Sequence, residues 1–214
     1  MGFGLHCGWA IEGTIGSEYK IDASYLSPNV NLASRLEAAT KQYGVPLLFS
    51  GEMHSILSAE VQRFACEIDT VTVKGSAQPL KLFTVRIDDS GFQESREWLK
   101  RLNTRERITM REIEKRKMSM RMGGGGKAAM WRMISNDADM VQLRRRFNKD
   151  MEEVFRRAYR YYLQGKWTAA EELLDYCLRM EPNDGPARTL RNYIVQLNGI
   201  PPNAWRGYRE LEEK

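Results

Sequence analysis

The sequence predicts an α+β fold in three parts, and three patterns carry that prediction. Strand-type and helix-type hydrophobic spacing alternate over residues 4–87. A stretch rich in Arg and Lys follows and is interrupted by four consecutive glycines at 123–126. Residues 151–214 then show helix-type spacing alone. We therefore predict an α/β region over 1–87, a basic helical connector with a glycine linker over 88–150, and an all-α helical hairpin over 151–214.

The first region begins with a predicted β-hairpin and a helix. We interpret Gly13 and Gly16 as its turn and Lys20–Ile21 as the returning strand. Helical spacing follows, and Gly44 supplies a C-terminal stop; the residues at that spacing are Leu32, Leu36, Ala39 and Tyr43. Residues 45–49 then predict a short buried strand and residues 54–57 a brief helix. Two strands at 71–73 and 80–85, joined by a turn at Lys74 and Gly75, complete the region.

The connector is dense in Arg and Lys from Arg96 to Met122. Interleaved glutamates favour a solvated helix over a nucleic-acid or acidic-membrane patch, so we expect no nucleic-acid partner. The glycine run is not typical of a phosphate loop. No apolar strand precedes it, and Lys127 is followed by Ala128 where such loops carry Ser or Thr. A flexible linker is the interpretation we adopt.

The third region has the residue spacing of one tetratricopeptide-like unit, a helix-turn-helix of about 34 residues. The residues at that spacing are Ala158, Tyr161, Gly165, Ala170 and Pro182. Stable arrays of such units need about three, and only one is convincing here. We expect this region to serve as a spacer or to bind a protein partner.

The composition indicates which cellular environment the chain is suited to. The formal charge is 33 − 28 = +5, and 42% of the residues are hydrophobic, which is enough for a globular core. The three cysteines (Cys7, Cys66 and Cys177) are far apart, as expected of reduced thiols. No apolar run reaches the roughly 20 residues that span a bilayer. We expect a soluble, intracellular chain whose parent protein could be membrane-attached.

Asn31 and Arg35 are the strongest candidates for chemistry. They lie four residues apart, so in a helix both side chains project from one face. Arg presents a fixed fork of donors to phosphoryl oxygens, and Asn can orient a sugar or a phosphate edge. An ordinary solvated Arg on a helix is the alternative for such a pair in isolation, and the surrounding residues decide against it.

Six blocks in and around this pair resemble the catalytic domain of the class III nucleotide cyclases. They are G-L-H-C-G (4–8), G-T-I-G-S (13–17), V-N-L-A-S-R-L-E (30–37), K-Q-Y-G-V (41–45), D-T-V-T-V-K-G (69–75) and P-L-K-L-F-T-V (79–85). The resemblance covers roughly the first 85 residues and implies the C-terminal half of that domain, a partial ferredoxin-like α/β sandwich. D-G-P-A-R (184–188) and P-P-N-A-W-R-G-Y (201–208) resemble the segment that often follows this domain in microbial multidomain cyclases.

The resemblance implies roles for four residues. Asn31 and Arg35 match the catalytic pair that orients the ribose and stabilises charge on the transferring phosphate. Ser24 matches a purine-reading position, where a hydroxyl that both donates and accepts does not separate ATP from GTP. Lys74 matches a lysine that reaches the triphosphate, and a plain turn lysine is an equal alternative. One departure is Ser27-Pro28-Asn29, where the family has Gly-Asp/Asn-Thr, and Pro28 there removes a backbone donor.

The resemblance also implies what the chain lacks. The family's two metal-binding aspartates and a purine-reading lysine belong upstream of the first block, so the ligands of Mg²⁺ or Mn²⁺ are not in this chain. Asp22 is interpreted as a turn residue, and His6 and Cys7 as strand residues without a metal role. Because sites in this family form across a head-to-tail dimer, a homodimer or a full-length cyclase subunit is the expected partner.

Three hypotheses follow. The chain is a fragment of a cyclase that converts ATP or GTP to the 3′,5′-cyclic nucleotide, and is incompetent alone because the metal-binding half is absent. Alternatively, it is a non-catalytic regulatory partner of an intact cyclase, or a helical scaffold whose function resides in residues 151–214. We favour the first.

Overall fold

The computed structural model describes residues 2–17, 19–73, 78–87, 101–122, 135–136, 138–143 and 148–211. These residues form two compact units, one of residues 1–57, 62–85 and 148–214, the other of residues 58–61 and 86–147. The predicted mixture of strands and helices is confirmed. The strands are β1 (Phe3–Leu5), β2 (Ile11–Ser17), β3 (Lys20–Leu26), β4 (Leu47–Ser50), β5 (Ala65–Thr72), β6 (Leu80–Val85) and β7 (Arg209–Glu210). The helices are α1 (Pro28–Tyr43), α2 (Gly51–Ile56), α3 (Ala59–Gln62), α4 (Thr104–Met122), α5 (Ala138–Leu143), α6 (Lys149–Leu163), α7 (Trp167–Met180) and α8 (Gly185–Gln196).

A mixed five-stranded sheet organises the larger unit, in the order β1-β4-β6-β5-β7. The two outer pairings are parallel and the two inner ones are antiparallel. β7 comes from the C-terminal end of the chain and pairs with β5, with Val71 opposite Arg209 and Thr72 opposite Glu210. The C-terminal region therefore contributes a strand to the sheet, and the prediction that it is all-α is wrong in this respect.

The hairpin predicted near the start of the chain is confirmed, but its turn is not at the glycines. Gly13 and Gly16 both lie within β2, and the chain reverses between Ser17 and Lys20. A Cβ built on Gly16 would lie 2.0 Å from the backbone oxygen of Lys20. Close approach of the two strands therefore accounts for glycine at this position.

α1 begins and ends where local chemistry predicts. Ser27 is the N-cap, its hydroxyl accepts from the Asn29 amide at 3.0 Å, and Pro28 occupies the first helical position. Gly44 ends the helix in the left-handed conformation with φ of 61°. The predicted apolar stripe is buried at Leu36, Ala39 and Tyr43, so this helix packs its predicted face into the core.

The C-terminal helices share one hydrophobic core with the sheet. Core residues from the sheet region include Leu36, Leu48, Ile68 and Leu82, and those from the helices include Phe155, Tyr162, Trp167, Leu174 and Leu190. Three helices, α6, α7 and α8, fill residues 149–196 where a two-helix hairpin was predicted. Trp205 covers this group and packs edge-on against Tyr162 at 5.1 Å and Trp167 at 5.2 Å between ring centroids.

The smaller unit contains the basic helix α4. A reciprocal capping box starts it: the Glu106 amide donates to Asn103 Oδ1 at 2.9 Å, and the Asn103 amide donates to Glu106 Oε2 at 2.8 Å. The described part of the predicted connector is thus helical, whereas the Gly123–Gly126 linker lies outside the described residues. Within the described part of the chain, no helix is long and apolar enough to cross a membrane.

Candidate functional site

The first half of α1 carries the two predicted catalytic residues. Asn31 is exposed and Arg35 is half-buried, and their spacing of one helical turn places both on one side of α1. Ser24 is half-buried on β3, opposite Gly13, and Ser27 alone separates β3 from α1. The three residues thus belong to one continuous strand-to-helix segment. Lys74, the fourth candidate, lies outside the described residues.

A hydrogen-bond network fixes the N-terminal end of α1. The Trp9 carbonyl accepts from the Ser27 hydroxyl at 2.6 Å and from the Asn29 side-chain amide at 2.8 Å. Ser27 and Asn29 flank Pro28, the first helical residue, so the loop that follows β1 holds the start of the helix. This network sits two residues before Asn31 and orients the turn from which that side chain projects.

His6 extends the network into the sheet. Its Nε2 lies 3.0 Å from Asn29 Oδ1 and its Nδ1 lies 2.8 Å from Ser50 Oγ. Because Asn29 uses its NH₂ group on the Trp9 carbonyl, its oxygen must accept, so Nε2 of His6 carries the proton. The Ser50 hydroxyl, the partner of Nδ1, also accepts from the Met53 amide at 3.2 Å. The Glu52 carboxylate lies 3.7 Å from the same Nδ1.

Two sequence interpretations are corrected here. His6 and Cys7 follow β1 and lie outside any strand, and His6 is a link between β4 and α1 that the sequence analysis missed. Pro28 is the first residue of α1, where the backbone amide has no helical partner in any case, so it removes no needed donor. The Ser-Pro signature of a helix start was present in the sequence and could have shown this.

The C-terminal end of α1 is held by a buried polar cluster, Tyr43, Asp69 and Arg209, which we call the C-terminal clasp. The Tyr43 hydroxyl donates to Asp69 Oδ2 at 2.6 Å, and Arg209 Nε donates to the same oxygen at 2.9 Å. Arg209 Nη2 also donates to the Tyr43 hydroxyl at 3.2 Å. The three side chains join α1, β5 and β7.

Burial shapes the protonation of the clasp. It raises the pKa of Tyr43, and the Asp69 carboxylate raises it further, so the phenol keeps the proton that it donates. Burial also raises the pKa of Asp69, an effect that Arg209 and the Tyr43 hydroxyl oppose. Burial lowers the pKa of Arg209, but Asp69 and Tyr43 outweigh it and leave the pKa above its ordinary value. The guanidinium stays a cation, stacked 4.6 Å from the Tyr193 ring.

The described residues do not fit a divalent cation. Among them, no group of three or more His, Cys, Asp or Glu side chains could hold a metal ion. Asp22, on β3, instead pairs with Lys20 at 2.9 Å, and both side chains are mostly exposed. Mg²⁺ and Mn²⁺ need several oxygen ligands, and the described part of the chain does not gather them.

The hairpin that carries Ser24 is largely uncovered. β2 is exposed along its whole length, and β3 is exposed everywhere except at Ser24. Its exposed apolar side chains include Ile11, Ile15, Ile21, Tyr25 and Leu26. Two-stranded hairpins are marginally stable in water unless they pack against something.

Comparison with known proteins relates part of this chain to adenylate cyclases. An adenylate cyclase of Anabaena cylindrica is 34% identical over 87 residues, which is 40% of this chain and 17% of that protein. The terminal-differentiation-specific adenylate cyclase of Dictyostelium discoideum is 32% identical over 39% of this chain and 4% of its own length. Adenylate cyclase 1 of Rhizobium meliloti (strain 1021) is 31% identical over 39% and 12%.

The chain contains a cyclase-related region. It spans less than a fifth of the length of each of these relatives. Two solved structures of a bacterial light-regulated adenylyl cyclase are 32% and 28% identical over 38% of this chain, covering 22% and 38% of theirs, with TM-scores of 0.32 and 0.29. TM-scores this low do not support a shared fold, so the relationship is based on sequence similarity alone. A scan of known protein families finds no match.

Proposed function

We propose that this chain supplies the nucleotide-binding side of a composite class III nucleotide cyclase site, in which ATP or GTP becomes the 3′,5′-cyclic nucleotide and pyrophosphate. One observation carries the proposal. The segment whose motifs resemble the cyclases presents Asn31 and Arg35 one turn apart on a helix whose two ends are anchored. An amide and a guanidinium held in this way suit a phosphate on which charge develops.

The proposed reaction is an intramolecular displacement. The ribose 3′-oxygen bonds to the α-phosphorus, the bond from that phosphorus to the bridging oxygen breaks, and pyrophosphate leaves with the electron pair while the hydroxyl proton is released. Arg35 would donate to the phosphoryl oxygens as charge builds, and Asn31 would orient the ribose. Ser24 would contact the purine and Lys74 the triphosphate. The Ser24 hydroxyl can both donate and accept a hydrogen bond, so it does not distinguish ATP from GTP.

The rest of the site is assigned to a partner. The cyclase relationship calls for Mg²⁺ or Mn²⁺, which neutralise charge on a triphosphate, and the described residues do not hold such an ion. We therefore assign the metal-binding carboxylates to a partner subunit of the cyclase type. The uncovered hairpin β2–β3 supports this assignment because it leaves apolar side chains beside Ser24 for another polypeptide to cover.

Reconstitution tests the proposal. The chain is mixed with an adenylate cyclase subunit that keeps its metal-binding aspartates but has alanine at its own counterparts of Asn31 and Arg35. Cyclic nucleotide formation from ATP and from GTP is then measured with Mg²⁺ and with Mn²⁺. We expect product from the mixture and none from either protein alone.

Matched variants assign the result to the site. Asn31→Ala and Arg35→Ala should each strongly lower product formation, whereas Lys41→Ala, which removes an exposed cation near the other end of the same helix, should not. A complex that forms without product would support the regulatory-partner hypothesis and overturn the catalytic proposal. Absence of a complex would overturn both.

A further inference from the structure

We propose that the C-terminal segment of the chain is a positioning element for α1, and that Arg209 is the positioning residue through which it acts on Asn31 and Arg35. The effect on catalysis rests on the proposed function, whereas the physical coupling to α1 does not.

Arg209 reaches that end of the helix from far along the chain. Its side chain is 7% exposed, and Asp69 is fully buried. It donates at once to Asp69 on β5 and to Tyr43, the last residue of α1, which is 166 positions away in sequence. One side chain therefore fixes the last turn of α1 against the sheet. A planar guanidinium can make both contacts together, and an ammonium cannot reproduce that geometry.

A second, independent contact holds the last turn of α1 in place. A Cβ built on Gly185, at the start of α8, would lie 2.0 Å from the Tyr43 carbonyl oxygen. Nearby, the Thr189 hydroxyl donates to the Gln42 carbonyl at 3.0 Å. The C-terminal carbonyls of a helix lack partners within it, so α8 supplies a partner to one of those of α1. The C-terminal region thus contacts α1 at two places along the chain.

α1 can transmit a displacement from this contact along its length. It is 16 residues long, without internal proline or glycine after its first residue, and Leu36 and Ala39 pack it into the core. Arg35 lies about 12 Å from Tyr43 along the axis, from the rise of an α-helix. A shift or tilt at the clasp is therefore carried to the turn that holds Arg35, because a packed helix moves as a unit.

Amide hydrogen exchange on the full chain tests the coupling without any assay of activity. Arg209→Lys keeps the charge and replaces the planar fork, which makes both contacts together, by a single ammonium nitrogen. We expect exchange across residues 28–43 to become faster by about tenfold, as for the loss of one charge-assisted hydrogen bond. Arg206→Lys, the same change at an exposed arginine three residues away, should leave those residues unchanged.

Leu174→Ala is the control for general destabilisation, because it truncates a fully buried side chain of α7. The proposal is supported if amide exchange in α1 is faster in Arg209→Lys than in Leu174→Ala when the two proteins have equal global stability. Faster exchange confined to residues near β7, or equal in both variants, overturns it.

The reconstituted enzyme then gives the catalytic readout. Arg209→Lys should lower kcat by up to roughly 10²-fold, as misplacement of a catalytic group by about 1 Å can do, with little change in KM for the nucleotide. An unchanged kcat would overturn the positioning role even if exchange responds. Failure of the unmodified chain to make product counts against the proposed function alone, since the exchange result stands without it.

Discussion

The pair Asp69 and Arg209 should be strongly coupled in the free energy of unfolding. Their contact distance is 2.9 Å, and neither side chain is more than 7% exposed. At an effective dielectric constant of about 20, two unit charges at that distance attract by about 6 kcal/mol, before the cost of removing them from water. Removal of one partner leaves a buried charge without its counter-ion. We therefore expect Arg209→Met or Asp69→Leu alone to cost about 3–5 kcal/mol.

The double variant should be much milder than the sum of the two. Replacing a buried ion pair by apolar residues of similar volume is often neutral. The remaining cost here includes the Tyr43 hydroxyl, which loses two partners at about 1–3 kcal/mol, and the Thr70 amide, which loses Asp69 Oδ1. Urea unfolding followed by circular dichroism, with linear extrapolation to water, gives the four free energies of the cycle. We expect a coupling energy of about 3 kcal/mol or more.

A surface pair with the same contact distance is the matched control. Lys20 and Asp22 also lie 2.9 Å apart, but their side chains are 78% and 62% exposed. Their cycle should give less than about 1 kcal/mol. If the Asp69 and Arg209 changes are additive within about 0.5 kcal/mol, the C-terminal clasp contributes nothing beyond its separate residues and the reasoning from burial fails.

Two further predictions concern the ends of α1. Ser27→Ala removes the N-cap and should lower the free energy of unfolding by about 1 kcal/mol in the same urea experiment, whereas Ser34→Ala, at an exposed position of the same helix, should lie within about 0.5 kcal/mol of the unmodified chain. Equal values for the two serines would show that the cap does not form. Gly185→Ala places a methyl group against the Tyr43 carbonyl and should lower the melting temperature, at a cost of about 1–3 kcal/mol. Gly13→Ala, where a Cβ meets nothing within 4 Å, is its control, and a melting temperature as high for Gly185→Ala as for Gly13→Ala would refute the close approach.

The sequence predicts α1 well because its determinants are local. Apolar residues at helical spacing, Ser27 with Pro28 at the start and Gly44 at the end lie within 18 consecutive residues. The hairpin was predicted for the same reason, although Gly16 was assigned to the turn. A glycine required by a close backbone approach looks the same in sequence as one required by a turn.

The C-terminal clasp could not be predicted in this way. Asp69 and Arg209 are 140 positions apart, and β7 is two residues long, too short to show a period. Asp69 lies in a run of alternating residues where a carboxylate usually marks the solvent face. His6 was missed for a similar reason, because its two partners, Asn29 and Ser50, come from separate elements that only the folded chain brings together.

The kinetics of Arg35→Ala in the reconstituted pair test the central claim most directly. If Arg35 stabilises charge on the transferring phosphate, its removal should lower kcat by about 10²–10³-fold, the usual loss for one donor of this kind. KM for the nucleotide should change much less, because the contact strengthens in the transition state. A kcat equal to that of the Lys41→Ala control would show that Arg35 takes no part in the chemistry and would contradict the account.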